Sequence, residues 1–222
     1  MSGINIIVTE DGSHSLFNSD LNETYHSIHG AIQESKHVFI RAGLEHWLDK
    51  NKTANLRILE IGFGTGLNAL LTILYSKAQA IHYNSWEAYP LDSSLTNQLN
   101  YGQELGSPEL FSLIHSAFWE KSVAISSQFI LGKHKGDILT EEINPSEKFD
   151  IIYYDAFGPS KQPDMWTLPV LTKIINVLDK KGIFVTYCAK GQVKRDLKSL
   201  GLEVETLPGP PGKLQMIRAT RN

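Results

Sequence analysis

Glu60, Glu87, Asp137 and Asp155 each stand at the end of an expected strand, and Gly62, Gly64 and Gly66 fill the turn after the first of them. Glycines between a strand and a helix let the backbone approach a ligand and aim its N–H groups at it. Glu87 comes 25 residues after Gly62, where a carboxylate can accept hydrogen bonds from both hydroxyls of a ribose. Asp137, following Gly136, is placed to accept from the exocyclic amine of an adenine. Asp155 closes the most apolar run of the chain, on the side of the sheet where open α/β folds bind and transform ligands. A dinucleotide-binding turn wants Gly or Ala at position 67, and Leu67 stands there instead, which argues against nicotinamide or flavin. The pattern points to an adenosyl ligand.

The elements that position these residues form an α/β rhythm. Strands are expected at Leu56–Ile61, Ala80–Glu87, Gln128–Asp137, Phe149–Tyr154 and Gly182–Tyr187, and helices at Leu67–Lys77, Leu110–Ile125, Thr167–Leu178 and Val193–Leu200. Two closing runs, Leu202–Leu207 and Leu214–Thr220, are joined by Pro208-Gly-Pro-Pro-Gly212. Alternating strands and helices imply a mostly parallel sheet, and the closing pair one antiparallel member. Ahead of this core, two short apolar stretches flank Asp11-Gly12, a hairpin signal. Ser27–Asp49 has mostly helical spacing with an expected break at His37–Gly43. Residues 1–52 therefore read as an accessory segment and residues 53–222 as the catalytic domain.

At 222 residues with 41% apolar content, the chain fills one sizeable core. No apolar run nears the roughly 18 residues that span a bilayer, and Met1–Asp11 lacks a secretion signal. The single cysteine, Cys188, forms no internal disulfide, and a reducing cytoplasm is the simplest compartment. The net charge of −3 hides nine Lys or Arg against four Asp or Glu in residues 179–222. A basic end on an acidic body suits either a nucleic-acid contact or a solvated helix face. Glu23-x-x-His26 with His29 has helical metal-ligand spacing but lacks a second such motif, so no metal is expected. Cys188 reads as a small buried hydrophobe, not a nucleophile.

The turn Glu60-Ile-Gly62-Phe-Gly64-Thr-Gly66 with its acidic strand ends resembles the S-adenosylmethionine-dependent methyltransferase superfamily. Asp155-Ala-Phe157-Gly-Pro-Ser-Lys-Gln-Pro-Asp-Met-Trp166-Thr resembles a segment of the tRNA 5-methylaminomethyl-2-thiouridine methyltransferases of the MnmC and MnmD type. Asp11-Gly12-Ser13, Tyr25 and Trp47, then Ala189-Lys190-Gly191 and Pro208 to Lys213 with Met216, are similar to that family's leader and closing signature. The resemblance implies a Rossmann-like class I methyltransferase fold, a mostly parallel seven-stranded sheet with one antiparallel strand and a small N-terminal hairpin and helical extension. It implies S-adenosylmethionine as cofactor, bound by Glu60, Gly62, Gly64, Gly66, Glu87, Asp137 and Asp155. Bifunctional members continue into a flavin-dependent oxidase domain, and the end at Asn222 implies the stand-alone form, without flavin.

The implied substrate is the amine of 5-aminomethyl-(2-thio)uridine at the wobble position, in the anticodon stem-loop of a tRNA, made by a separate enzyme. Such an amine, with a pKa near that of Lys, costs about 4 to 5 kcal/mol to deprotonate at pH 7. A carboxylate beside it helps by accepting a hydrogen bond and guiding the proton away, and Asp155 is the first choice. Tyr25 is read as lying over the cofactor, orienting the amine or simply packing. Phe157 and Trp166 are read as stacking on the extruded uracil or packing in the core. Lys190, Lys194, Arg195 and Lys213 are expected to meet phosphates. The alternatives are methyl or aminopropyl transfer to a free small-molecule amine, and a non-catalytic adenosyl-ligand or RNA-binding module.

Overall fold

The computed structural model describes residues 3–51, 55–76 and 80–222. The expected hairpin forms from β1 (Ile4–Val8) and β2 (His14–Asn18), and β3 (Glu23–Thr24) adds to β2 to make a small antiparallel sheet. Gly12, with φ of 84°, supplies the left-handed residue of the turn.

A helix then runs through α1 (Ala31–Ser35), a π-helical stretch at Lys36–Glu45, and α2 (His46–Lys50). The break expected at His37–Gly43 does not occur. Wider turns with i→i+5 bonding change the spacing at which side chains face inward, so an α-helical template misreads this stretch. Val38, Phe39, Ile40 and Leu44 are all buried there.

The core sheet is built from β4 (Asn55–Ile61), β5 (Ala80–Glu87), β6 (Ser122–Ser126), β7 (Phe129–Lys135), β8 (Phe149–Tyr154), β9 (Leu178–Thr186), β10 (Leu202–Pro208) and β11 (Gln215–Arg221). Their order is β10-β11-β9-β8-β4-β5-β7-β6. Seven of these strands make the expected sheet, with β11 antiparallel to its neighbours. The eighth, β6, pairs antiparallel with β7 at the edge. It lies where the helix from Leu110 was expected to continue to Ile125. The helix instead ends early, Glu120 takes a left-handed φ of 59°, and Ser-Val-Ala-Ile-Ser follows as an extended edge strand.

The helices of the core are α3 (Leu67–Tyr75), the short α4 (Ser93–Thr96) and α5 (Tyr101–Glu104), α6 (Pro108–Ser116), α7 (Leu168–Asn176) and α8 (Gly191–Ser199). Lys77, expected to close α3, lies outside the described residues, as does the boundary placed at 52 and 53. Both faces of the sheet are covered. Ile58, Tyr153 and Val185 pack with Phe39, Leu44 and Leu70, whereas Leu59, Ile152 and Phe184 pack with Leu171, Ile174 and Leu197. Burial on both faces explains the near-continuous apolar runs of β4 and β8. The chain moves outward from β4 through β5 to β7, then returns to β8 on the other side of β4. That reversal opens a crevice beyond the ends of β4 and β8, where ligands bind in such sheets.

Candidate active site

A cleft of about 610 Å³ occupies this crevice, within the ordinary range for small-molecule sites. Its floor is the glycine turn, where Gly62, Gly64 and Gly66 have φ of 94°, 48° and 72°. Gly62 also lacks room for a side chain, and Gly66 has little. A Cβ on Gly62 would sit 2.7 Å from the carbonyl oxygen of Asp155, and one on Gly66 would sit 3.0 Å from His115 Nε2. Backbone bonds tie the turn to both neighbours, Gly62 N–H donating to Trp86 O and Asp155 N–H to Ile61 O, each at 2.9 Å.

Glu87 stands at one wall, its two carboxylate oxygens accepting from the N–H groups of Gly64 and Tyr89 at 2.9 Å each. Burial raises its pKa, while those N–H groups oppose the rise. Asp137 lies farther along the same wall, one carboxylate oxygen accepting from Leu139 N–H at 2.9 Å.

Asp155 faces them across the glycine turn. Burial and the negative charge of Glu34 push its pKa up to about 7, against the opposing pull of Asn68 and Lys213. Asn68, on the first turn of α3, was not singled out in the sequence, yet its side-chain amide donates to Asp155 Oδ2 at 2.8 Å and to Glu60 Oε1 at 3.0 Å. Both donors are thereby used, and its buried carbonyl oxygen Oδ1 has no protein partner. Asn68 is among the residues lining the cleft, and a buried acceptor without a partner costs about 1–3 kcal/mol, which a donor reaching it from the cleft would offset.

Glu60 differs from its expected place. It is 0% exposed and lies beneath the turn, accepting from Ser85 Oγ at 2.7 Å as well as from Asn68. Burial raises its pKa to about 8. Its reach to the cleft is through the Asn68 amide.

The N-terminal layer supplies the roof. Tyr25 lies over Gly64, 3.4 Å from where a Cβ would stand, and meets Phe157 edge to face at 5.0 Å. Burial and the nearby Glu87 charge raise the Tyr25 pKa to about 12, so its hydroxyl keeps its proton. Lys161 donates to Asn22 O at 2.9 Å and fastens the loop after β8 to this layer. His26 also lines the cleft, 2.8 Å from the Thr65 hydroxyl, and burial lowers its pKa to about 4. His29 turns the other way, to Glu10 at 3.0 Å. The Glu23, His26 and His29 spacing thus brings no ligand set together.

Two expected substrate contacts sit elsewhere. Trp166 is 5% exposed, packs edge to face on Tyr154 at 5.0 Å, and gives its indole N–H to Phe157 O at 2.8 Å. It braces the loop that presents Phe157, while its neighbour Met165 reaches the cleft. Lys213 turns inward to an ion pair with Glu34 and lies 3.9 Å over the ring of Tyr187. Lys190 and Arg195 are exposed on or beside α8, and Lys194 reaches Gln215 Oε1 at 3.2 Å. Cys188 is buried, and burial pushes its thiol pKa up. Among the described residues, no helix is long and apolar enough to cross a membrane.

Residues 115–222 match a family described as S-adenosyl-L-methionine-dependent methyltransferase. Over 209 residues the chain is 31% identical to a protein of Leptospira interrogans named tRNA 5-methylaminomethyl-2-thiouridine biosynthesis bifunctional protein MnmC, covering 88% of this chain and 32% of that one. It thus spans about a third of the length of the curated relatives it matches. The crystal structure of MnmC2 from Aquifex aeolicus is similar over 100% of this chain and 71% of that chain, with 27% identity and a TM-score of 0.80. Spermidine synthase from Thermotoga maritima shares the fold, at 12% identity and a TM-score of 0.52 over 95% of this chain and 69% of that chain.

Proposed function

Since the chain belongs to the MnmC-type family of S-adenosyl-L-methionine-dependent methyltransferases, we propose that it methylates the amine of 5-aminomethyl-(2-thio)uridine at the wobble position of tRNA. The observation that carries the reading is the convergence of two half-sites in one cleft. Gly62 to Gly66, Glu87 and Asp137 form a cofactor side, and Asp155 with the Tyr25–Phe157 aromatic pair forms an acceptor side.

In this reading Glu87 takes the ribose hydroxyls, Asp137 the adenine amine and the glycine turn the methionine portion, whose ammonium suits the orphaned Asn68 oxygen. When bound, S-adenosyl-L-methionine supplies an electrophilic sulfonium methyl. Asp155 accepts and keeps the amine's proton, leaving the nitrogen lone pair free to take the methyl carbon as that carbon's bond to sulfur breaks, with S-adenosylhomocysteine as the leaving group. A carboxyl held near 7 is better matched to this exchange than one near 4, since general bases work best with a pKa close to the operating pH. Tyr25, uncharged, and Phe157 enclose the acceptor and exclude water. Positioning supplies the rest of the acceleration.

Residues 1–52 act here as an accessory segment that roofs the cleft of the 53–222 catalytic domain. The tRNA anticodon stem-loop is met by the charges of Lys190, Lys194 and Arg195, a separate enzyme supplies the aminomethyl group, and the cytoplasm is the compartment. The decisive experiment incubates the protein with labelled S-adenosyl-L-methionine and tRNA from cells accumulating aminomethyl-uridine, then identifies nucleosides by mass. Label in methylaminomethyl-uridine is expected. Absence of label with cofactor binding intact removes tRNA and turns the search to small amines.

A further inference from the structure

One ion pair joins the two ends of the sequence. Lys213, in the turn between β10 and β11, places its ammonium on Glu34 of α1, 179 residues away. The two side chains are 33% and 7% exposed. The other Glu34 oxygen accepts the N–H of Ser27 at 2.7 Å. The ammonium also lies 3.9 Å from the centroid of Tyr187, whose hydroxyl donates to Ala156 O at 2.9 Å, the residue after Asp155. Tyr187 is part of the cleft wall, and the charge pair stands behind it. Two further contacts press the turn onto the N-terminal layer. A Cβ on Gly212 would fall 2.1 Å from His29 Cδ2, and Pro208 O lies 2.9 Å from His37 Nε2.

We infer that Glu34 and Lys213 are positioning charges for the reaction: locked together behind the Tyr187 wall, they set the field in which Asp155 meets the acceptor amine. The inference rests on the amine-methylating reading above. Charges in a poorly solvated wall act strongly on a neighbour because little water screens them. The two act on Asp155 with opposite sign, Glu34 disfavouring its anion and Lys213 favouring it. Among the other groups around it, Asn68 donates to both Asp155 and Glu60, so Glu60 is linked to Asp155 as well. Asn68 on α3 is neutral, and Glu60 on β4 is buried and raised to about 8. Burial raises the Tyr187 phenol and lowers His26, which also faces Glu34 and Lys213, to about 4, so both stay uncharged near neutrality.

Both members break the same contact when substituted, which makes the test discriminating. The Asp155 carboxyl is titrated by ¹³C NMR in the cofactor-free protein, assigned through Asp155→Asn, and the pH profile of kcat/KM is measured on aminomethyl-uridine tRNA. Lys213→Met moves the Asp155 titration and the acidic limb of the profile to higher pH, by on the order of one pH unit. Glu34→Gln moves both to lower pH, and Lys213→Arg keeps the parental values. Lys213→Gln replaces the Met variant should that one not fold. Shifts in the same direction, or none, overturn the inference and leave the pair as a latch. Opposite NMR shifts without tRNA methylation support the charges and remove the substrate reading instead, because the NMR titration uses neither tRNA nor cofactor.

Discussion

Asn68 holds two carboxylates on one amide, and the geometry of the candidate site depends on it more than on any residue the sequence singled out. Replacing it with Ala leaves Asp155 and buried Glu60 without a shared donor; a stability loss of about 1–3 kcal/mol is expected. A weaker S-adenosylhomocysteine affinity by calorimetry is the companion readout. Glu60 gives a pH signature of its own. Its pKa is raised from 4.5 to about 8 by burial, so the folded state binds the proton more tightly than the unfolded chain. That stabilisation is complete below about pH 4.5 and is lost as pH rises through about 8. Glu60→Gln removes the loss, and its melting temperature relative to the parent should climb between pH 6 and 9; a constant offset would show that Glu60 does not titrate there. Acidic strand ends were legible because carboxylates after apolar runs stand out. Asn68 was not, since one polar residue early in an apolar helix looks like a solvated position until its two partners are seen.

At the scale of elements, the glycine turn and the loop after β8 must be rigid for the half-sites to meet. Gly62→Ala puts a side chain into a left-handed φ of 94° and against the Asp155 carbonyl. A cost on the order of 1–3 kcal/mol follows, together with loss of cofactor affinity, both checked by thermal melting and calorimetry. Strands β4 and β8 were readable in the sequence because burial on both faces makes a strand a near-continuous apolar run, whereas β5 showed the alternation of a half-buried strand. The π-helical stretch and edge strand β6 were not. The first obeys a different spacing, and the second packs at a margin where Val123 and Ile125 alternate with small and polar residues that suit a helix as well. Trp166 shows the same limit at the site: its aromatic type fits stacking on a base, but only the fold reveals that Phe157 takes its N–H and Tyr154 its ring.

For the whole molecule, charge separates recognition from chemistry. Inversion of Lys190, Lys194 and Arg195 to Glu should weaken tRNA binding strongly at low salt and flatten the dependence of log Kd on log salt, by about 0.7 to 0.9 per lost phosphate contact. Cofactor affinity should remain, because none of these three residues lines the cleft; an unchanged salt slope would place the tRNA on another face. The basic C-terminal region was visible in the sequence, whereas the inward turn of Lys213 was not, because its partner Glu34 belongs to the opposite end of the chain. That partnership also sets a schedule. A ribosome releases α1 and the N-terminal sheet long before the 208–213 turn, so the Glu34–Lys213 contact behind Tyr187 waits for nearly the whole chain to be made. Loop closure over so many residues is slow, and a nascent chain can hold its glycine turn formed while the acceptor side waits for its last contact.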